Sequence, residues 1–594
     1  MRRTVQEISE ARRIEPELFV FSVLIMGIGL FNLLIPHSYF FFGINHHSFL
    51  SPAFQIQWIL IFAGILFLVS RMHHVWFTPS FYPVATFVSL LLLFLFRTEY
   101  PTVHGDGEAG GSPHGGSFDM SSFPRYDGRL QALAVDGLSR ILPSVFHFKY
   151  FFTSTHANTT VNNAWIFAVM AIGFGLSLLI LALVKRIDRP EEDRLGLALL
   201  LLTSAPLLNA FGHFDAYIFP IALIAVWFIA IQLTWKTPKK VENWILLFGL
   251  IPVCIWAHPV LLYLTGYAFV FALMVMLHKA GQKVPLSAVI LLALLFGCAP
   301  PFIAMGHRDL LSPANTPLLG WMLHERLMAF VQTALPAFVL LLALIVKKRI
   351  DRKAANPMQQ FGLFVCVSML IMFFSLKATY GLLDEFLYTV FAAIFIGGVT
   401  LLYLSTPPDP RVLLYCGLLS LFLYLPRLML YAGPEMITRF ETNLVHDPSR
   451  ATRTHGPYKI MAMNIPINTE AQRERRLAIL QRGIEDASPR NERFRDQNRA
   501  YHMVWAYEFG WSDRVRDQLE ALIDEKSELL PALWLEHPDP FLTRTWHGVA
   551  HREIREDSRR ILEMKLEADP ENEALKDIFD ILEEFEVRAT MDAQ

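Results

Sequence analysis

The sequence predicts an all-α chain: a polytopic membrane helix bundle of about thirteen spans, followed by a soluble α-helical domain. Three observations predict it. Of the 594 residues 53% are hydrophobic, and the mean hydropathy is +0.37, well above that of an ordinary soluble enzyme. The apolar residues fall in runs close to the 20 or so that a helix needs to cross a hydrocarbon core. The charges are segregated, with 55 of the 106 in residues 431–594. The overall balance, 52 basic against 54 acidic residues, leaves no global field that points to nucleic acid.

In chain order, MRRTVQEISEARRIEPE is a long polar stretch without a small-residue cleavage pattern, so the first apolar run reads as a retained span. Apolar segments follow near 17–36, 54–70, 80–96, 164–184, 194–211, 216–235, 242–257, 259–278, 284–304, 326–346, 360–376, 384–404 and 411–431. With the N-terminus placed inside, the inner loops hold twenty Lys and Arg and the outer loops eight. Such a bias sets orientation. The C-terminal domain is then expected outside. Cys254, Cys298, Cys366 and Cys416 all lie in apolar runs, so neither a disulfide framework nor a thiolate metal site is expected.

The outer loop 97–163 is too long for a plain connection. It opens with VHGDGEAGGSPHGG, where glycines permit sharp turns and close approach of backbone to a ligand. In RLQALAVDGLSRIL (129–142), Leu130, Leu133, Ala134, Leu138 and Ile141 share a helical face opposite Arg129, Asp136 and Arg140, which suits a helix lying in the membrane interface. The other polar groups of the predicted outer side are FGHFDAY (211–217), WAHP (256–259), GHRDLL (306–311) and KATYGLLDEF (377–386). Ionisable residues at membrane depth are costly and usually functional.

An acidic outer loop directly after a span, then interfacial segments, then a many-helix bundle: this layout resembles the GT-C membrane glycosyltransferases. More narrowly it is similar to bacterial GT-C-like proteins that end in tetratricopeptide repeats. Gly105, Asp106 and Gly107 match their G-D-G motif, and FGHFDAY matches an aromatic-Gly-aromatic-x-acid-x-Tyr stretch through His213, Asp215 and Tyr217. His258 matches a histidine at the outer end of the next hairpin, and Gly381, Asp384 and Glu385 loosely match a later acidic segment. The chain departs from the pattern in that Gly107 separates Asp106 from Glu108, and residues 1–79, with two spans, precede the matching module at 80–431.

The resemblance implies inverting transfer of a sugar from a polyprenyl phosphate to an extracytoplasmic protein, peptide or glycan, in the inner membrane of a bacterium. Such a reaction needs a carboxylate to take the acceptor's proton and donors to stabilise the departing phosphate. Asp106 is the expected base, with Glu108 assisting. His104, His213, Asp215, Tyr217, His258, His307, Arg308, Lys377, Asp384 and Glu385 are expected to bind substrate, Arg308 being the best geometric match to a phosphate. His104, Asp106, Glu108 and His114 offer metal-binding atoms but no tight ligand spacing, so no metal or other cofactor is expected.

In residues 432–594 the segments 469–487, 500–523 and 552–582 read as amphipathic helices. AYEFGWSDRVRDQLEAL and LEADPENEAL resemble tetratricopeptide punctuation, a Gly between helices and an Asp-Pro before the next. This domain is expected to dock a peptide or protein. Two other classes remain open: a transporter or flippase for a lipid-linked sugar, and a non-catalytic scaffold of an envelope complex. The first requires a polar path through the bundle, and the second tolerates replacement of the outer acids.

Overall fold

The computed structural model describes residues 16–35, 43–71, 81–96, 159–211, 217–282, 284–297, 321–347, 356–375, 385–432, 438–439, 458, 461–462, 465, 467, 469–486, 492–525, 548–573, 575–577 and 579–580. Among these residues every regular element is helical. They fall into two compact units, one with the described residues up to Arg439, the other with those from Tyr458 on.

The helices described in the first unit are α1 (Pro16–Leu34), α2 (Pro52–Arg71), α3 (Phe81–Leu95), α4 (Thr159–Arg186), α5 (Glu191–Leu202), α6 (Ile218–Lys236), α7 (Val241–Ala257), α8 (Tyr263–Lys279), α9 (Leu286–Gly297), α10 (Trp321–Val346), α11 (Pro357–Ser375), α12 (Glu385–Leu404) and α13 (Pro410–Ala432). Each overlaps one predicted apolar segment. Seven of them, α1, α2, α4, α6, α10, α11 and α13, contain a stretch long and apolar enough to cross a membrane, and α3, α7, α8, α9 and α12 are shorter apolar helices. The outward faces are apolar as well: Phe19, Leu60, Phe87, Ile245, Phe269 and Leu295 are each more than 60% exposed. Water penalises such a surface and lipid covers it. This is a helical membrane protein.

The predicted span 194–211 is not one continuous helix. Thr203 and Ser204 donate their hydroxyls back to the carbonyls of Leu199 and Leu201. Pro206, which has no N–H, follows, and Ala205–Ala210 winds as a tighter 3₁₀ turn. What remains of α5 lies tightly against α13. A Cβ on Gly196 would come within 2.6 Å of the α13 backbone, and one on Gly417 within 2.7 Å of the Gly196 carbonyl oxygen. Small residues at such crossings let two backbones approach. α13 is central, with 78% of its apolar stretch buried, whereas α2, with 22%, is peripheral.

Polar contacts show which helix ends share a side. Lys347, just after α10, bridges Glu17 at the start of α1 (2.9 Å) and Asp409 ahead of α13 (2.8 Å). Arg189, just before α5, donates to the carbonyls of Leu404 and Thr406 at 2.6 and 2.7 Å. The Tyr403 hydroxyl donates to Asp193 (2.6 Å). The starts of α1, α5 and α13 and the ends of α10 and α12 therefore lie together. At the opposite end Asn32, near the end of α1, donates to the Ile44 carbonyl (2.9 Å). There too Arg326, early in α10, donates to the carbonyl of Phe374, late in α11.

The second unit holds α14 (Glu470–Glu485), α15 (Glu492–Glu508), α16 (Ser512–Asp524) and α17 (Gly548–Ala568), each packed on its predecessor. Thr469 opens α14 with a capping box, accepting from the Gln472 N–H while the Gln472 side chain accepts from the Thr469 N–H. Within the predicted segment 500–523 the expected glycine between helices is Gly510, whose φ of +75° costs a residue without a Cβ little. The N–H of Trp511 reaches the Ala506 carbonyl and that of Gly510 the Tyr507 carbonyl, the Schellman pattern that closes a helix on glycine.

Candidate functional site

Most of the predicted site lies outside the described residues: His104, Asp106, Glu108, His213, Asp215, His307, Arg308, Lys377 and Asp384. Glu385 is the first residue of α12. Tyr217 and His258 are described with their side chains, and the hairpin α6–α7 brings them together. Tyr217 precedes the first residue of α6 and His258 follows the last of α7. Their rings lie 5.6 Å apart, inclined at 59°. His258 is extended (φ −159°, ψ 125°) because Pro259 disfavours helical backbone in the residue before it. Its N–H still bonds the Cys254 carbonyl at 2.9 Å, and the residue is buried.

A second polar cluster, not foreseen from the sequence, sits within the bundle, around Arg427 in α13. Its logic starts from prolines. Pro336 in α10 cannot donate to the carbonyl four residues back, that of Gln332. The guanidinium of Arg427 donates to that carbonyl. Pro426 in α13 likewise leaves the Phe422 carbonyl without its helical donor, and the indole N–H of Trp58 from α2 supplies one at 3.1 Å. Inside a bilayer a freed carbonyl must find a donor within the protein. Each proline thus creates a backbone acceptor, and another helix meets it.

Toward the end of the bundle where α1 and α13 finish, a 3₁₀ turn at His46–Phe49 packs on α1, α2 and α13. The His47 ring stacks on Phe422 with centroids 4.7 Å apart. Burial pushes both imidazoles down, that of His47 to about 3, so they stay neutral near pH 7. Arg439, fully buried, donates to the Tyr431 hydroxyl at 3.0 Å. Ser48 donates to the Asn45 carbonyl (2.7 Å) and Gln55 to the Leu50 carbonyl (2.9 Å), closing the turn.

Beside Arg427 a small cavity opens between α5, α10, α12 and α13, lined by Thr203, Ser204, Gln332, Ser420, Tyr424 and Arg427 together with apolar residues. Gln332 lies eleven residues after the start of α10 and fourteen before its end. At about 1.5 Å rise per residue the cavity is near the middle of that helix. The sequence did hold a signal for this cluster: an arginine inside an apolar run, LYLPRLML, one residue after a proline. Among the described residues no group of three His, Cys, Asp or Glu is placed to hold a metal ion.

Comparison with family models, with curated proteins and with solved structures returns no match.

Proposed function

We propose that the chain is a membrane glycosyltransferase that moves a sugar from a polyprenyl-phosphate carrier to an acceptor at the outer surface, with Asp106 as general base. The observation that carries this reading is the Tyr217–His258 contact: two residues of separate motifs are neighbours across a helix hairpin. In the same reading all thirteen helices of the first unit cross the bilayer, the N-terminus is cytoplasmic, and the tetratricopeptide-like second unit docks a protein or the acceptor outside. Reporter fusions after Ser405 and after Tyr431 then give opposite sides; the same side for both removes the last crossing. For the chemistry, Asp106→Asn keeps size and hydrogen bonding but removes proton affinity. Release of sugar from the carrier in membranes should fall about 10²–10⁴-fold, and less for Glu108→Gln. Full transfer by Asp106→Asn at normal expression overturns the assignment and moves the base to Asp215.

Transport is the second reading, and a different observation favours it. α5 stops at the cavity, and α10 and α13 each carry a proline beside it. Interrupted helices around a site near the midplane are typical of transporters. Uptake or efflux of a lipid-linked sugar by vesicles holding the purified protein, with no transfer to acceptor, would favour this reading over the first.

A further inference from the structure

Asp193 and Arg189 stand just short of each other at the end of the bundle where α1, α5 and α13 start. We propose that Asp193 is a proton-operated latch: neutral, it leaves Arg189 to cap the end of α12, and ionised, it draws Arg189 away and frees the turn between α12 and α13. This inference does not depend on the glycosyltransferase reading.

Asp193, in the first turn of α5 and just ahead of the apolar segment at 194–211, is 1% exposed. Its Oδ1 accepts from the Tyr403 hydroxyl at 2.6 Å. Its Oδ2 is enclosed and makes no hydrogen bond. Arg189 Nη1 lies 4.0 Å from Oδ2, and that atom too is enclosed and without a hydrogen bond. The same guanidinium is committed through Nη2, which donates to the carbonyls of Leu404 and Thr406 at 2.6 and 2.7 Å. Leu404 ends α12 and Thr406 lies beyond it, where carbonyls lack a helical donor. The Tyr403 hydroxyl also accepts from the Asp409 N–H at 3.1 Å. Both residues that face Asp193 therefore also hold the turn.

One cation thus has two claims on it. In its present position the guanidinium serves the carbonyls and misses the carboxyl, since 4.0 Å allows attraction but no hydrogen bond. Two ionised partners make the stronger bond, so loss of the Asp193 proton to water tips Arg189 toward Oδ2 and off the carbonyls. A neutral carboxyl exerts no such pull, and the cap stays. Burial raises the Asp193 carboxyl above its usual value; the Tyr403 hydrogen bond and Arg189 oppose this, and Asp409 and Glu192 add to it. Its own segment also carries Asp188, Glu191 and Arg194, the last donating to the Arg189 carbonyl at 2.9 Å. Of the helices packed on α5, α13 contributes Arg411 and Tyr415 near its start, and α4 ends in Lys185 and Arg186. Lys347 and Glu17 join through Asp409. Because the folded value is raised, the latched form is complete at low pH and is lost as pH rises through that value.

The test uses the purified full-length protein in detergent. Hydrogen exchange is followed at the Ser405 and Thr406 amides, which bond the Leu401 and Tyr403 carbonyls at 3.1 and 3.0 Å. Rates are corrected for the intrinsic pH dependence and measured from about pH 4 to about pH 8, the range from an ordinary carboxyl to a deeply buried one. Infrared difference spectra over the same range follow the protonated carboxyl. Asp193→Asn keeps an oxygen for Tyr403 and cannot ionise. In the unaltered protein, protection of the two amides should fall about tenfold or more as pH rises, the equivalent of one pKa unit. It should fall in step with a carboxyl band that Asp193→Asn lacks, and the variant should hold its low-pH protection throughout. Tyr403→Phe removes a hydrogen bond that favours the charged form, so the band should disappear at a higher pH. Protection that does not change with pH, or that falls equally in Asp193→Asn, overturns the proposal. So does a band that persists in Asp193→Asn, or one that Tyr403→Phe moves to lower pH.

Discussion

Both units bury arginines, and they satisfy them differently. In the second unit Arg499, 6% exposed, reaches the half-exposed carboxylate of Glu525 with two bonds of 2.7 Å. Arg476, also buried, lies over the Trp505 ring at 4.5 Å and donates to the Ile465 carbonyl. In the bundle Arg427, 4% exposed, donates a hydrogen bond to a main-chain carbonyl released by a proline. The difference follows from the surroundings. At a wet surface a carboxylate is a cheap partner because water still solvates its far side. In a lipid-covered core a second charge is costly to bury, and a backbone oxygen that already needs a donor takes an N–H of Arg427. The bundle uses carboxylates in both settings: around Lys347 all three partners keep some exposure, from 13% to 33%, whereas the buried Asp193 takes a hydroxyl from Tyr403 with Arg189 4.0 Å away.

The comparison breaks most readily at Arg427. Arg427→Met leaves the Gln332 carbonyl without a donor and should cost about 3 kcal/mol, the upper end for an unmade buried hydrogen bond. Pro336→Ala restores an N–H four residues on. In that background the same change should cost at least about 1 kcal/mol less, a coupling that a double-mutant cycle on denaturant unfolding in micelles resolves. If the two changes simply add, the proline account of Arg427 is wrong.

Arg499→Met in the second unit should cost less, about 1–2 kcal/mol, because water screens part of the Glu525 pair. The Glu525 carboxyl is held below its usual value, first by the hydrogen bonds from Arg499. A lowered folded value means the pair stabilises at neutral pH, and that this is lost as pH falls through the folded value. Hydrogen exchange across α15 and α16 of the full chain should therefore show protection falling under acid, with a smaller acid-dependent loss in Arg499→Met.

Trp58→Phe keeps the ring and removes the donor to Phe422, which should cost about 1 kcal/mol. Pro426→Ala should recover part of it, by the same unfolding measurement. The smallest effect is expected at the exposed ion pairs. Lys347→Met should change stability by no more than about 1 kcal/mol, and by less at high salt. A loss as large as that at Arg427 would show that exposure does not separate the two kinds of site.

The apolar runs of near membrane-crossing length were legible in the sequence, and a described helix overlaps each of the thirteen segments. The break at Gly510 was legible too, since glycine closes a helix at little cost. The interruption after Leu202 was less so: Pro206 marks it, but the back-bonding of Thr203 and Ser204 that ends α5 depends on local geometry. Of the predicted site, only Tyr217 and His258 fall among residues described with side chains, and their proximity follows from a hairpin, which sequence suggests but does not orient.

By itself, then, the sequence determined that this chain is helical, apolar on its outside, and divided into a membrane part and a polar part. Those properties follow from composition and period, which act along the chain. It also determined, through Pro336 and Pro426, that two carbonyls would lack helical donors. Only the tertiary structure decided that Arg427 and Trp58 meet them, and that the Gln332 amide borders a cavity beside a buried charge. Trp58 and Phe422 are 364 residues apart. No period reaches across that separation; the packing of helices in a low-dielectric core selects which distant donor fills each vacancy.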